Sequence, residues 1–263
     1  MARTIRVEID DGVHRITLDR PERRNAMNLQ MVRELTSALD DAEAGDARLI
    51  VLRGAGGHFC AGGDVAEMAQ ARSTAGPAGQ PDGIAAFSME FGRLALRYSR
   101  AAVPVLAVVE GAVMGGGFGV ACTADVVIAS TTTRFRLPET GLGVVPAQIA
   151  PFLVERLGYS EAKRLAVTGG RVDAERARAL GLVHEVLEPE ALEAGAQSAV
   201  QQILRGGPQA TRATKALFHQ LHPGVSDADV AHAAEVFAAA ARGLEAMEGL
   251  TAFMSKRSPS WAP

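Results

Sequence analysis

The stretch 49–64, LIVLRGAGGHFCAGGD, decides the fold. Leu49-Ile50-Val51-Leu52 is an apolar run without polar alternation, the pattern of a short strand covered on both faces. It enters a loop with five glycines between Gly54 and Gly63, and a helix follows. The unit recurs at 105–117, VLAVVEGAVMGGG: a buried strand Val105 to Val109, a glycine loop, then a helix of small residues through Ala124 and a strand Val126 to Ala129. Strands alternating with helices imply crossover connections and an α/β sheet.

Outward from this unit the pattern holds. Ile5, Val7 and Ile9 alternate with charged residues, Asp11-Gly12 supplies a turn, and Val13, Ile16 and Leu18 complete a β-hairpin. Asn28 is placed to cap a helix whose Leu29, Val32, Leu35, Ala38 and Leu39 recur at helical spacing up to Ala44, before Gly45. A further helix is predicted from Ile84 to Arg100, and the Ala, Gly and Pro-rich stretch Ser73 to Gly83 before it is a candidate lid. From Ile149 onward helices are predicted over 149–157, 160–168, 173–180, 191–204, 208–221 and 227–253, the last broken near Gly243, with a single strand at Leu182 to Leu187. A core over 1–190 and a helical C-terminal region over 191–263 follow.

Composition narrows the function. Apolar residues make up 48% and charged residues 22%, which suits a large core, and no repeat of fixed period indicates a solenoid. The net charge of −3, with no dense basic run, speaks against a nucleic-acid partner. The N-terminus enters a β pattern at once and no run of 18 apolar residues occurs, so a soluble cytoplasmic protein is expected, without a membrane partner. Cys60, Cys122 and six scattered histidines form neither a disulfide framework nor a zinc spacing, so no metal is expected.

The two glycine loops carry the chemistry. Glycine lets backbone approach a ligand, and the first amides of a helix lack internal partners, so two such loops facing each other would make an oxyanion hole. No Lys follows either cluster as a P-loop requires, and Gly117-Phe118-Gly119 is followed by Val120, Ala121 and Cys122, which breaks the dinucleotide fingerprint. No Gly-x-Ser-x-Gly elbow occurs. His58 and Cys60 flank the first loop, but side chains so close along an extended segment do not meet as base and nucleophile. Glu67 and Glu110 are read as structural or solvated.

Phe59-Cys60-Ala61-Gly62-Gly63-Asp64-Val65-Ala66-Glu67-Met68, followed by Gly111 to Gly117, resembles the enoyl-CoA hydratase/isomerase (crotonase) family. Arg20-Pro21, Asn25-Ala26-Met27-Asn28, Asp125, Pro138-Glu139 with Gly141-Leu142-Gly143, Ala179 to Val183 and Phe253 to Arg257 extend the resemblance along nearly the whole chain. It implies a ββα superhelix with a helical C-terminal region that builds trimers, often paired into hexamers. It also implies an acyl-CoA substrate whose thioester oxygen is held by the backbone N–H groups of Gly63 and Gly116. Coenzyme A enters as part of that substrate, with no other cofactor. By the same resemblance the thioester lies along Arg24 to Ala26, Ala61, Asp64-Val65 and Gly115, with Phe253 and Lys256 near the adenine and phosphates, from the same or a neighbouring subunit.

Hydration of a 2-enoyl thioester moves one proton to the α carbon and activates one water at the β carbon, and family hydratases commonly use two glutamates for this. Glu139 matches the second. Gly119, after Phe118, stands where the first belongs. Pro146-Ala147-Gln148-Ile149-Ala150-Pro151-Phe152 departs as well, and with Gly119 is most similar to bacterial hydratases of branched glutaconyl-CoA thioesters, whose substrates carry an extra carboxylate. Gln148, Arg134 or Arg136 would donate to it. A Δ3,Δ2-enoyl-CoA isomerase using Glu139 alone is the alternative, and a non-catalytic acyl-CoA-binding protein a third.

Overall fold

A computed structural model of the chain describes residues 3–73, 83–222 and 224–262, without the side chains of Arg72 and Ser73. The candidate lid lies almost wholly outside these residues. Strands β1 (Ile5–Asp10) and β2 (Val13–Leu18) form the expected antiparallel hairpin, turning at Asp11 and Gly12, whose φ values of 45° and 74° suit a tight hairpin turn. Helix α1 (Leu29–Ala44) starts at Asn28, whose side chain accepts from the Met31 amide, and ends at Gly45. β3 (Leu49–Gly54) pairs parallel with β2. After α2 (Val65–Ser73) and α3 (Gly83–Ser99), β4 (Val105–Val109) pairs parallel with β3.

The remaining elements are β5 (Ala112–Met114), α4 (Gly116–Thr123), β6 (Val126–Ser130), β7 (Arg134–Arg136), a 3₁₀ turn over Glu139–Leu142, α5 (Ala150–Leu157), α6 (Tyr159–Thr168), β8 (Arg171–Asp173), α7 (Ala174–Ala179) and β9 (Glu185–Leu187). Four helices close the described chain: α8 (Leu192–Leu204), α9 (Pro208–Leu221), α10 (Asp227–Arg242) and α11 (Leu244–Met254), the last two separated at Gly243 as expected. The main sheet has the order β1-β2-β3-β4-β6-β9, parallel from β2 onward, and a second sheet has the order β5-β7-β8.

The apolar runs are explained by burial on both faces. In β4, Val105, Ala107 and Val109 enter the main core with α1, α3, α4 and α5, while Leu106 and Val108 face Leu192, Ala196 and Val200 of α8. The sequence reading needs correction at four places. The chain does not pass directly from the second glycine loop into a helix, because β5 intervenes. β7 and β8 form where the pattern predicts no strand, so Leu182 to Leu187 is not the one strand after Ile149, and it shortens to Glu185–Leu187. Elements three residues long make too few alternations to register.

Candidate active site

Residues 60–64 are held between two distant segments by backbone hydrogen bonds. On one side Cys60 N–H donates to Ala112 (3.0 Å) and Met114 N–H to Cys60 (2.9 Å). On the other Met27 N–H donates to Gly62 (2.8 Å) and Asp64 N–H to Met27 (2.8 Å). This bridge uses the carbonyl before Gly63 and the amide after it, so the Gly63 N–H has no backbone acceptor among the described residues. Gly116 opens α4, where an N–H has no intrahelical partner.

The two loops touch. Gly62, at φ 100°, is so close to the second loop that a Cβ there would stand 3.1 Å from the Met114 carbonyl oxygen and 3.7 Å from the Gly115 Cα. Gly115, at φ 49°, is fixed by its N–H donating to Arg136 (2.9 Å). Only glycine satisfies both the backbone angle and the approach. Gly63 and Gly116 each follow this contact by one residue.

Glu139 stands against the same contact. Its Oε1 lies 2.7 Å from where a Cβ on Gly115 would be, and its Oε2 is buried without a hydrogen-bond partner. Burial pushes this carboxyl up to about 7, while its own backbone amide and the Arg136 charge hold it down. A carboxyl raised toward neutrality, chemically suited to carry a proton, therefore adjoins the touching loops. Gly119 follows one turn on in α4, and a Cβ there would stand 2.3 Å from Ile149 Cγ2. The ground beside Gly119 is closed by an isoleucine.

Gln148 is not placed to meet a substrate carboxylate. Its Nε2 donates to Ser88 Oγ (3.1 Å) and to the Val230 carbonyl (3.2 Å), which takes both amide hydrogens and ties the segment to α3 and α10. Arg134 is spent on the Thr131 and Thr133 carbonyls, leaving half-buried Arg136 beside Glu139. The Asp64 carboxylate is likewise engaged, with Arg20 Nη2 at 2.9 Å and the Ala66 amide at 3.1 Å, so only its backbone faces the loops. Arg24 is exposed, half-buried Ala26 adjoins it, and Ala61 N–H donates to the Arg24 carbonyl (2.9 Å). Val65 starts α2. Phe253, 57% exposed, and Lys256 lie at and beyond the end of α11.

Two further residues, Asn25 and Arg20, assemble these pieces. Asn25, fully buried, accepts from Arg20 N–H (2.9 Å) and donates to the Ala55 (2.8 Å) and His58 (2.7 Å) carbonyls. Arg20 donates to the Ala26 carbonyl as well as to Asp64. The Arg24–Ala26 and Asp64–Val65 stretches are thereby held together. Only the spacing of an isolated Arg and Asn hinted at this. Glu67 caps α1 through the Leu29 amide (2.9 Å), and His58 Nδ1 accepts from the Ala112 amide (3.1 Å), both structural. Burial pushes the Cys60 thiol up to about 12, which leaves no thiolate for attack.

A mainly parallel sheet with a second small sheet and a closing run of helices define an α/β enzyme of the crotonase fold. The model of the enoyl-CoA hydratase/isomerase family matches residues 8–263, and the chain belongs to that family. A probable enoyl-CoA hydratase of Rhodobacter capsulatus is 34% identical over 260 residues, 97% of this chain and 96% of that one. Two solved structures are each 46% identical: an enoyl-CoA hydratase/isomerase from Marinobacter aquaeolei (TM-score 0.81, all of both chains) and Pseudomonas aeruginosa AtuE (TM-score 0.79, 99% of this chain and all of that one). Hydratase names predominate among the relatives and isomerase names occur. No helix among the described residues is long and apolar enough to cross a membrane.

Proposed function

We propose that the protein is a hydro-lyase that adds water to the double bond of a 2-enoyl-CoA thioester with a branched, carboxylated acyl chain of glutaconyl type. The observation that carries this reading is Glu139, whose Oε2 is buried without a hydrogen-bond partner, set against the touching glycine loops. The thioester oxygen accepts from the Gly63 and Gly116 amides, and each such donor is worth roughly 3 kcal/mol of transition-state energy. Ionised Glu139 takes a proton from water as the water oxygen bonds to the β carbon, and the alkene electrons move onto the thioester oxygen. The enolate then collapses and its α carbon takes the proton back from Glu139. Atoms and charge balance with one carboxylate.

The carboxylated substrate is supported by the ground beside Gly119. Ile149 fills it, so no protein carboxylate stands there to repel one carried by the substrate, and Arg136, whose Nε donates to the Gly169 carbonyl (3.5 Å), is the cation beside Glu139 to hold it. Coenzyme A comes with the substrate and the reaction asks for no other cofactor or metal. The core over 1–190 carries the site, and the region over 191–263 builds a homotrimer or a dimer of trimers in the cytoplasm, a reading supported by the family and by exposed Leu217, Phe218 and Leu221 on α9.

The test is a panel of 2-enoyl, 3-enoyl and branched glutaconyl CoA thioesters turned over in H₂¹⁸O, with Glu139→Gln alongside. A labelled hydroxyacyl product, best from the glutaconyl thioesters and lost in the variant, is expected. A double bond shifted without label would instead establish an isomerase, a reading that one carboxyl also serves, since a 1,3-proton transfer needs only one. Binding without turnover of any thioester would leave an acyl-CoA-binding protein.

A further inference from the structure

The Glu139 turn is held from behind by the last described helix. Gly249, in the middle of α11, lies so close to the turn that a Cβ there would stand 2.4 Å from the carbonyl carbon and oxygen of Leu142. One helical turn earlier, Gly143 at φ 71° meets the backbone of Glu245, where a Cβ would stand 2.3 Å from the carbonyl carbon. Ala246 between them is fully buried with Val144, Ile84, Ala238 and Ala241. The turn is closed on itself by Val144 N–H donating to the Glu139 carbonyl (3.1 Å). A displacement at Leu142 therefore moves Glu139 with it. Backbone packed on backbone has no flexible side chain to absorb such a shift.

We infer that Gly249 is a positioning residue for the reaction: by letting α11 lie directly on the Leu142 backbone, it keeps the Glu139 carboxyl against the Gly115 loop. The inference rests on Glu139 as the proton carrier of the proposed hydration. Moving the turn outward admits water to the carboxyl and lengthens its reach to the substrate.

The experiment compares wild type with Gly249→Ala and Glu139→Gln. Infrared titration follows the protonated carboxyl band that Glu139→Gln removes, and steady-state kinetics uses the best thioester of the panel. In Gly249→Ala the midpoint is expected to fall by about one pH unit toward that of a solvated carboxyl, and kcat to fall about tenfold or more at nearly unchanged KM. Wild-type kcat per folded molecule overturns the inference, whatever the melting temperature does. A lowered kcat with an unmoved midpoint also overturns it, because the carboxyl would not have moved. Should Gly249→Ala fail to fold, Ala246→Gly loosens the same contact without a clash and is read by the same criteria. Full activity of Glu139→Gln would sink the proton-carrier reading instead, and the infrared midpoint would still decide whether α11 holds the turn.

Discussion

Glu139 carries a cost that the fold bears for the sake of the site. A carboxyl raised to about 7 from its ordinary 4.5 binds its proton more tightly folded than unfolded, so stability falls as pH rises through that window. The ionised group then weighs against folding by about 3 kcal/mol. Glu139→Gln is accordingly expected to be more stable than wild type at pH 8, with the gain disappearing below about pH 4.5, as checked by denaturant midpoints across pH. The rate has the matching sign: kcat/KM should decline below about pH 7 as the base is protonated. Gly119 offers a second test. Gly119→Ala forces a methyl onto Ile149 and is expected to cost about 1–3 kcal/mol, while Gly119→Ala with Ile149→Gly costs less than the sum of its parts in a double-mutant cycle.

Among the elements, those with long periodic patterns were legible and the short ones were not. α1 with its Asn28 cap, β4, α9 and the break at Gly243 were read almost to the residue, because each has a cap, a glycine or an apolar run whose cause is local. β5, β7 and β8 exist only because they pair with one another, which nothing within three residues announces. The same distinction runs through the site. The glycine loops stand out as composition, whereas the turn that carries Glu139 is packed on the distant α11, and Gln148 has the chemistry of a donor but is consumed by α3 and α10. The Arg20–Asp64 pair links elements that sequence alone leaves separate, at 17% and 13% side-chain exposure. Asp64→Asn should weaken both that link and the N-terminal cap of α2, costing about 1–3 kcal/mol and raising KM for the thioester more than it lowers kcat.

For the molecule as a whole, the proposed assembly predicts a light-scattering mass three or six times the 27.5 kDa of the chain, and a single-chain mass would remove that part of the reading. Leu217, Phe218 and Leu221 on α9, 52%, 65% and 71% exposed, are the surface it would cover. Phe218→Glu is expected to lower the mass if α9 lies in the contact. The way the loops are stitched also governs how the chain folds. Residues 24–27, 60–64, 112–115 and 136 share one set of backbone hydrogen bonds, so their pairing closes long stretches of chain. Such non-local closure is slow, and on a ribosome it must wait until Arg136 and Glu139 have emerged. The hairpin and α1 can form early, but the candidate site is the product of a late, nearly simultaneous docking, so a chain interrupted before Pro138 has most of its first sheet and lacks Glu139.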